Sequence, residues 1–251
     1  MPTRITKTSP RFLARMAGVL FLLTILAGVF AQGFVSERLI VFNNAALTAN
    51  NILSHKRLFL AGYAVYLFEM ACQIAMAAFF YLLLRPVSNS IALAATFLEL
   101  SGCIIKTFAR VFFIMPLFVL GGAPSLSVFS TEELQALSLL LLKVNDQGAA
   151  LALAFFGFST TLTGYLTFRS GFLPRWLGAL SFVSGLGWLT FLYPPLGYRA
   201  FPFVVIVALL GSVATIFWLL VFGVNEERWK KMLGSGFPSG VRPLPCRPHP
   251  V

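Results

Sequence analysis

Residues 88–122 read SNSIALAATFLELSGCIIKTFARVFFIMPLFVLGG, an apolar run long enough to cross a bilayer that nevertheless carries Glu99, Lys106 and Arg110. A helix turns about 100° per residue, so positions seven and eleven apart return to within about 20° of one direction. The three charges therefore share one stripe. A charge at the bilayer centre costs roughly 3 kcal/mol or more, so this stripe faces protein or a wet cavity and not lipid. Lys106 and Arg110 are an i,i+4 like-charge pair, which repels unless other helices bring carboxylates to it.

The whole chain fits a membrane setting. Of its 251 residues 58% are hydrophobic and only 11% charged, with a mean hydropathy of +0.86, whereas soluble domains carry about 25% charged residues. A net charge of +11 would otherwise point to nucleic acid. Here the cations fall in short loops and tails beside apolar runs, so topology explains them and no nucleic-acid partner is expected. Cys72, Cys103 and Cys246 have no CxxC spacing and imply neither a disulfide framework nor a metal site.

Outward from the charged run, the sequence predicts an all-α, six-span polytopic bundle with helices at about 13–33, 58–84, 88–120, 134–168, 176–192 and 201–224. Residues 1–12 form a cytoplasmic N-terminal segment, and residues 225–251 a cytoplasmic, disordered tail that is Gly/Pro-rich from Gly234. The first run, Phe12 to Val35, exceeds a typical signal-peptide core of about 7–15 residues and is read as a retained helix. Asn43 or Asn44 caps a short helix on the outer surface. Arg85-Pro86 ends the second helix. Pro116 deprives the Phe112 carbonyl of its donor and bends the third. Thr131 with Glu132 and Glu133 reads as the cap and acidic first turn of the fourth. Pro194-Pro195 closes the fifth. Gly178, Ser181 and Gly185 mark the fifth helix for close packing.

Cations set the orientation. Arg4, Lys7, Arg11, Arg15, Arg85, Arg169, Arg175, Arg228, Lys230, Lys231, Arg242 and Arg247 lie on one side, and only Arg38, Lys56, Arg57 and Arg199 on the other. Both termini are therefore expected in the cytoplasm, across an inner membrane. Tyr81-Leu-Leu-Leu-Arg85 and Tyr165-Leu-Thr-Phe-Arg169 echo one another at two helix ends. An interfacial Tyr beside a cytoplasmic Arg is common enough that coincidence outweighs duplication.

With that topology, at about 1.5 Å per residue, Glu69, Lys106, Arg110, Lys143 and Asp146 fall between the midplane and the outer boundary, with Glu99 deeper. Three acids balance three bases. Helices two, three and four are expected to face one another, with Glu69 meeting Lys106 and Asp146 meeting Arg110. Gln73 lies one turn from Glu69, and Asn145, Asp146, Gln147 and Gly148 read as a polar break in the fourth helix. These residues suggest a polar cavity, open outward, for a small anionic or zwitterionic solute, or a proton relay through Glu69 or Glu99. The same balance suits a salt-bridge network that only sets helix packing, with Lys143 snorkelling to the interface. Both readings stand at this point.

Absences remove other classes. His55 and His249 are the only histidines, so haem ligation by helix-borne His pairs and His-rich zinc sites are not expected. Ser101, Ser159, Ser181 and Ser184 have no intramembrane His and read as packing residues. There is no GxxxxGK[ST] loop. The sequence predicts no enzyme and no cofactor. Its partners are the lipid bilayer and the small solute.

FFGFSTTLTGYLTFRSGFLPRWLG (Phe155 to Gly178), LARMAGVLFLLTILAGVFAQGFVSERLIV (Leu13 to Val41) and YLLLRPV (Tyr81 to Val87) resemble a bacterial membrane family known as domain of unknown function 4386. The turn Arg169-Ser-Gly-Phe-Leu-Pro-Arg175 is the most specific part. The resemblance implies topology and transfers no mechanism.

Overall fold

The computed structural model describes residues 9–122 and 124–235. Arg4, Lys7, Arg242, Cys246, Arg247, His249 and the tail from residue 236 lie outside the described residues. Every regular element among the described residues is helical.

Helix α1, Pro10–Gly28, starts on a proline whose missing N–H costs nothing at that position. It runs without interruption into a π-helical segment, Val29–Ser36, and a last turn, Glu37–Leu39. The wider turn shows in the Glu37 N–H, which reaches back five residues to the Gln32 carbonyl. Short α2, Ala45–Ser54, is capped by Asn44, whose side chain accepts from the Leu47 N–H at 2.9 Å. It is less peripheral than expected, because Thr48, Ala49 and Ile52 are buried in the bundle end.

Helix α3 spans Lys56–Leu84 and α4 spans Asn89–Ile114. The latter is interrupted at Met115, and one further turn, Pro116–Val119, follows the proline. Helix α5, Thr131–Arg169, is capped one residue earlier than expected. Ser130 accepts from the Glu133 N–H while Glu133 accepts from the Ser130 N–H, a reciprocal pair that Thr131 cannot make from inside the first turn. Helix α5 is also unbroken through Asn145–Gly148, so the expected polar break is absent. There Gly148 lets α4 come close, since a Cβ on it would stand 2.7 Å from that of Ala109.

Helix α6, Arg175–Trp188, tightens into a 3₁₀ turn, Leu189–Leu192. Helix α7 is Pro194–Val221. Pro194 begins this helix instead of merely closing the previous one, because proline is well suited to a first helical turn. Five segments are long and apolar enough to cross a membrane: 10–39, 56–84, 89–119, 131–169 and 194–221. Helix α6 with its 3₁₀ turn adds about 29 Å, close to the roughly 30 Å of hydrocarbon.

The long helices form a ring in chain order. Helix α1 packs on α3, α3 on α4, α4 on α5, α5 on α6 and α6 on α7, and α7 returns to α1. At one end, Leu13, Leu83, Leu84, Leu166, Leu173 and Leu219 share a core. At the other, Val35, Ile52, Phe59, Tyr66, Phe113 and Leu142 share a second. Ser9 and Arg11 meet Glu226 at the first end, so the described chain begins and finishes on the same side of the bundle. An even number of traverses is needed for that, and α6 supplies the sixth.

Helices α5 and α6 touch backbone to backbone. A Cβ on Gly164 would strike the Phe182 nitrogen, and one on Gly178 would strike that of Phe168. Close approach through small residues is how helices gain contact in lipid, where no hydrophobic force separates lipid from protein. Outward faces are apolar: Phe97, Ile104 and Phe108 of α4 are exposed, opposite buried Glu99 and Arg110.

The stretch after residue 225 corrects the expectation of a disordered tail in its described part. Glu226–Ser235 is a helix, α8, opened by two acids and by Asn225, whose side chain accepts from the Arg228 N–H. Trp229 is buried and donates its indole N–H to the Leu83 carbonyl at 2.8 Å. The Arg228 guanidinium donates to the carbonyl of Gly171, whose φ of +65° suits the tight α5–α6 turn.

Candidate functional site

The stripe on α4 points inward and meets α3 first. Lys106 Nζ donates to Glu69 Oε1 at 2.7 Å, the pairing that matched depths suggested. One turn along α3 and two turns along α4, Gln73 Nε2 donates to Glu99 Oε1, also at 2.7 Å. Glu69, Gln73 and Glu99 are all buried. Across from them α1 approaches through Gly28, where a Cβ would lie 3.3 Å from Glu69 Oε1. Glu69 Oε2 is buried without a hydrogen-bond partner.

Arg110 behaves differently. It is 2% exposed, donates from Nη1 to Asn145 Oδ1 at 2.9 Å and stands over the Tyr66 ring. The Tyr66 hydroxyl donates to Gln32 Oε1 at 2.6 Å and lies 2.9 Å from Ser36 Oγ. Phe113 meets the Tyr66 ring edge-on and stacks on Phe59. This corrects the expected Asp146–Arg110 pair. Asn145 and Asp146 differ by about 100° around an unbroken helix, and only Asn145 faces α4. Asp146 Oδ2 instead accepts from the Tyr198 hydroxyl at 2.7 Å, and Gln147 Nε2 donates to that Tyr198 hydroxyl at 3.2 Å. Lys143 is exposed.

The expected single network is thus three separate groups. They differ in what lies beside them: the Asp146–Tyr198 group is at the exposed surface, and the Arg110–Tyr66 group reaches the central space only through Gln32. A cavity of ≈ 610 Å³ runs down the middle of the ring, lined by Glu69, Gln73, Glu99 and Lys106 but not by Arg110, Asn145 or Asp146. Thr160, Thr163, Ser181, Ser184, Ser212 and Thr215 place hydroxyls on the facing wall, with Phe21, Phe80, Phe156 and Trp188 between. Ser159, read from sequence as a packing residue, lines the cavity. Buried leucines at 84, 166, 173, 177 and 219 floor one end. The other end reaches Gln32, Gly33 and Glu37, which are exposed on and just after the π-helical segment.

Residues 16–223 match the family described as Domain of unknown function (DUF4386). The chain belongs to this family. It is also similar to an uncharacterized protein of Archaeoglobus fulgidus, 28% identical over 156 residues, covering 60% of this chain and 76% of the relative. No solved structure matches. The DUF4386 match takes in every residue of the ring that lines the cavity, so the cavity is a feature of the family segment and not of an appended domain.

Tyr66, Gln32 and Ser36 were not singled out from the sequence, although Tyr66, Glu69 and Gln73 follow i, i+3, i+7 spacing on one face of α3. The hydroxyls of α5, α6 and α7 carried no readable signal, since Ser and Thr are ordinary packing residues in membrane helices.

Proposed function

We propose that this DUF4386 protein lies in the inner membrane with both termini cytoplasmic and binds a small solute in its central cavity, as a carrier with Glu69 and Glu99 as proton-accepting groups. The observation that carries this reading is Glu69. It is a buried carboxyl with one oxygen, Oε2, that has no hydrogen-bond partner, and it lines a cavity whose volume falls within the roughly 300–1,000 Å³ of small-molecule sites. An unmet buried polar atom costs about 1–3 kcal/mol, and Arg110 Nε is another, but of these two side chains Glu69 is the one that lines open space.

The scaffold reading applies to part of the former network. Arg110, Asn145 and Tyr66 do not line the cavity themselves, and their work is to hold α3, α4 and α5 together.

Thermal unfolding of the purified protein in nanodiscs, against a panel of small anions, amino acids and amines, separates the two roles. Glu69→Gln leaves Lys106 without its ion-pair partner and is expected to lower the midpoint and to lose a ligand-induced shift. Arg110→Gln is expected to lower stability with or without ligand. If no ligand shifts the wild type, the cavity is only a packing defect and the scaffold reading takes over. Orientation follows from the excess of cations at the Ser9–Glu226 end. In a background without the native cysteines, a thiol placed at Ser127 should label from outside intact cells, and one at Ser88 only after permeabilisation.

A further inference from the structure

We infer that the occupant of the central cavity is a small organic cation, an ammonium on an apolar body, with its charge set against the wall that carries Glu69 and Glu99. This rests on the reading of the cavity as a binding site and fixes the sign of what it binds. Three acids line the space, Glu69 and Glu99 in the wall and Glu37 at the rim, against the single base Lys106. That base is already engaged on Glu69 Oε1. Glu99 accepts from the neutral amide of Gln73 and has no ion pair of its own, so Lys106 is the one base beside both wall acids. The nearest additional cation, Arg110, is directed to Tyr66 and Asn145 and does not line the cavity.

The wall therefore carries two acids against one base. An incoming carboxylate or phosphate would meet two acids before it found a free donor. An alcohol would leave that excess of acid unbalanced in a low-dielectric interior, where an unpaired charge is costly. An ammonium balances it. The remainder of the space suits its body, because Phe21, Phe80, Phe156 and Trp188 present apolar surface and ring faces that attract cations.

The test uses matched head groups on one body: octylamine, octanol and octanoate, and the corresponding naphthylmethyl amine, alcohol and carboxylate. Each is titrated at pH 7 into wild-type protein in nanodiscs, with thermal unfolding as the readout. The amines are expected to raise the midpoint saturably, by roughly 5–10 °C at about 100-fold above Kd. Glu69→Gln should abolish that shift. Ala208→Phe narrows the cavity from the far wall without touching the acids and should abolish it too, which covers the case in which Glu69→Gln does not fold. A carboxylate or alcohol shift equal to or larger than the amine shift, and lost in Ala208→Phe, would overturn the cation assignment while leaving the cavity as a binding site. An amine shift that survives in both variants would place binding elsewhere and overturn it as well. No shift with any of the six compounds would remove both the cation assignment and the binding reading.

Discussion

The guanidinium carbon of Arg110 lies 3.5 Å from the centroid of the Tyr66 ring. At 2% exposure the cation has exchanged water for a ring face and one amide oxygen. A desolvated cation–π contact of this kind is worth about 2 kcal/mol, and stranding the buried charge costs more. Tyr66→Phe keeps the ring and loses only the hydroxyl that donates to Gln32, so it should cost about 1 kcal/mol. Tyr66→Leu should cost about 3 kcal/mol in reversible unfolding from mixed micelles. Equal costs for the two variants would mean that the ring is not what holds Arg110.

The Lys106–Glu69 pair should show strong coupling. Removing the ammonium with Lys106→Met leaves a carboxylate buried beside Glu99, at an expected cost of about 3 kcal/mol. Adding Glu69→Gln removes the stranded charge, so the double variant should be more stable than Lys106→Met alone. A double-mutant cycle is expected to give an interaction above about 1 kcal/mol, whereas additivity within about 0.5 kcal/mol would contradict the observed geometry.

The charged stripe was legible because helical spacing is arithmetic: Glu99, Lys106 and Arg110 can only share a face if the run is a helix. Depth along the axis then led to Glu69 for Lys106. Depth could not separate Asn145 from Asp146, since adjacent residues lie at nearly one level and differ in rotation, which packing against α4 decides. Helix α8 was hidden by its polarity. Its signal was Trp229, Met232 and Leu233 at i, i+3, i+4, an apolar edge in an otherwise charged stretch. The cavity had no sequence signature, because it exists only where α7 closes back on α1.

Two glycines should respond oppositely to alanine. At Gly164 the added methyl would enter the backbone of α6 at Phe182, and overpacking of this kind costs about 1–3 kcal/mol. At Gly33 nothing lies within 4 Å of the added carbon. Gly33→Ala should therefore be neutral or gain up to about 1 kcal/mol from helix propensity. Comparing the unfolding midpoints of the two variants checks the α5–α6 contact, and a tolerated Gly164→Ala would show that these helices are farther apart than described.

Docking of α8 should depend on acidity through Glu226. Its carboxylate accepts from Lys230 Nζ at 3.2 Å and pairs with Arg11 Nε at 3.3 Å. The Lys230 hydrogen bond first, then the charges of Lys230 and Arg11, hold this carboxyl below the usual carboxylate range. A depressed value in the folded state means that the contribution is present above the unfolded value of about 4.3 and is lost as pH falls through the folded one. Hydrogen exchange over residues 226–235, corrected for intrinsic rates, should show steady protection from pH 7 to about 5 and loss below about 4. The group is exposed, so the effect should be small and fade with added salt. Glu226→Gln should weaken protection at neutral pH and flatten the acid limb, while Trp229→Ala should weaken it by about 3 kcal/mol at every pH, because that side chain acts through burial and its bond to Leu83. An acid limb unchanged in Glu226→Gln would assign the transition to another group.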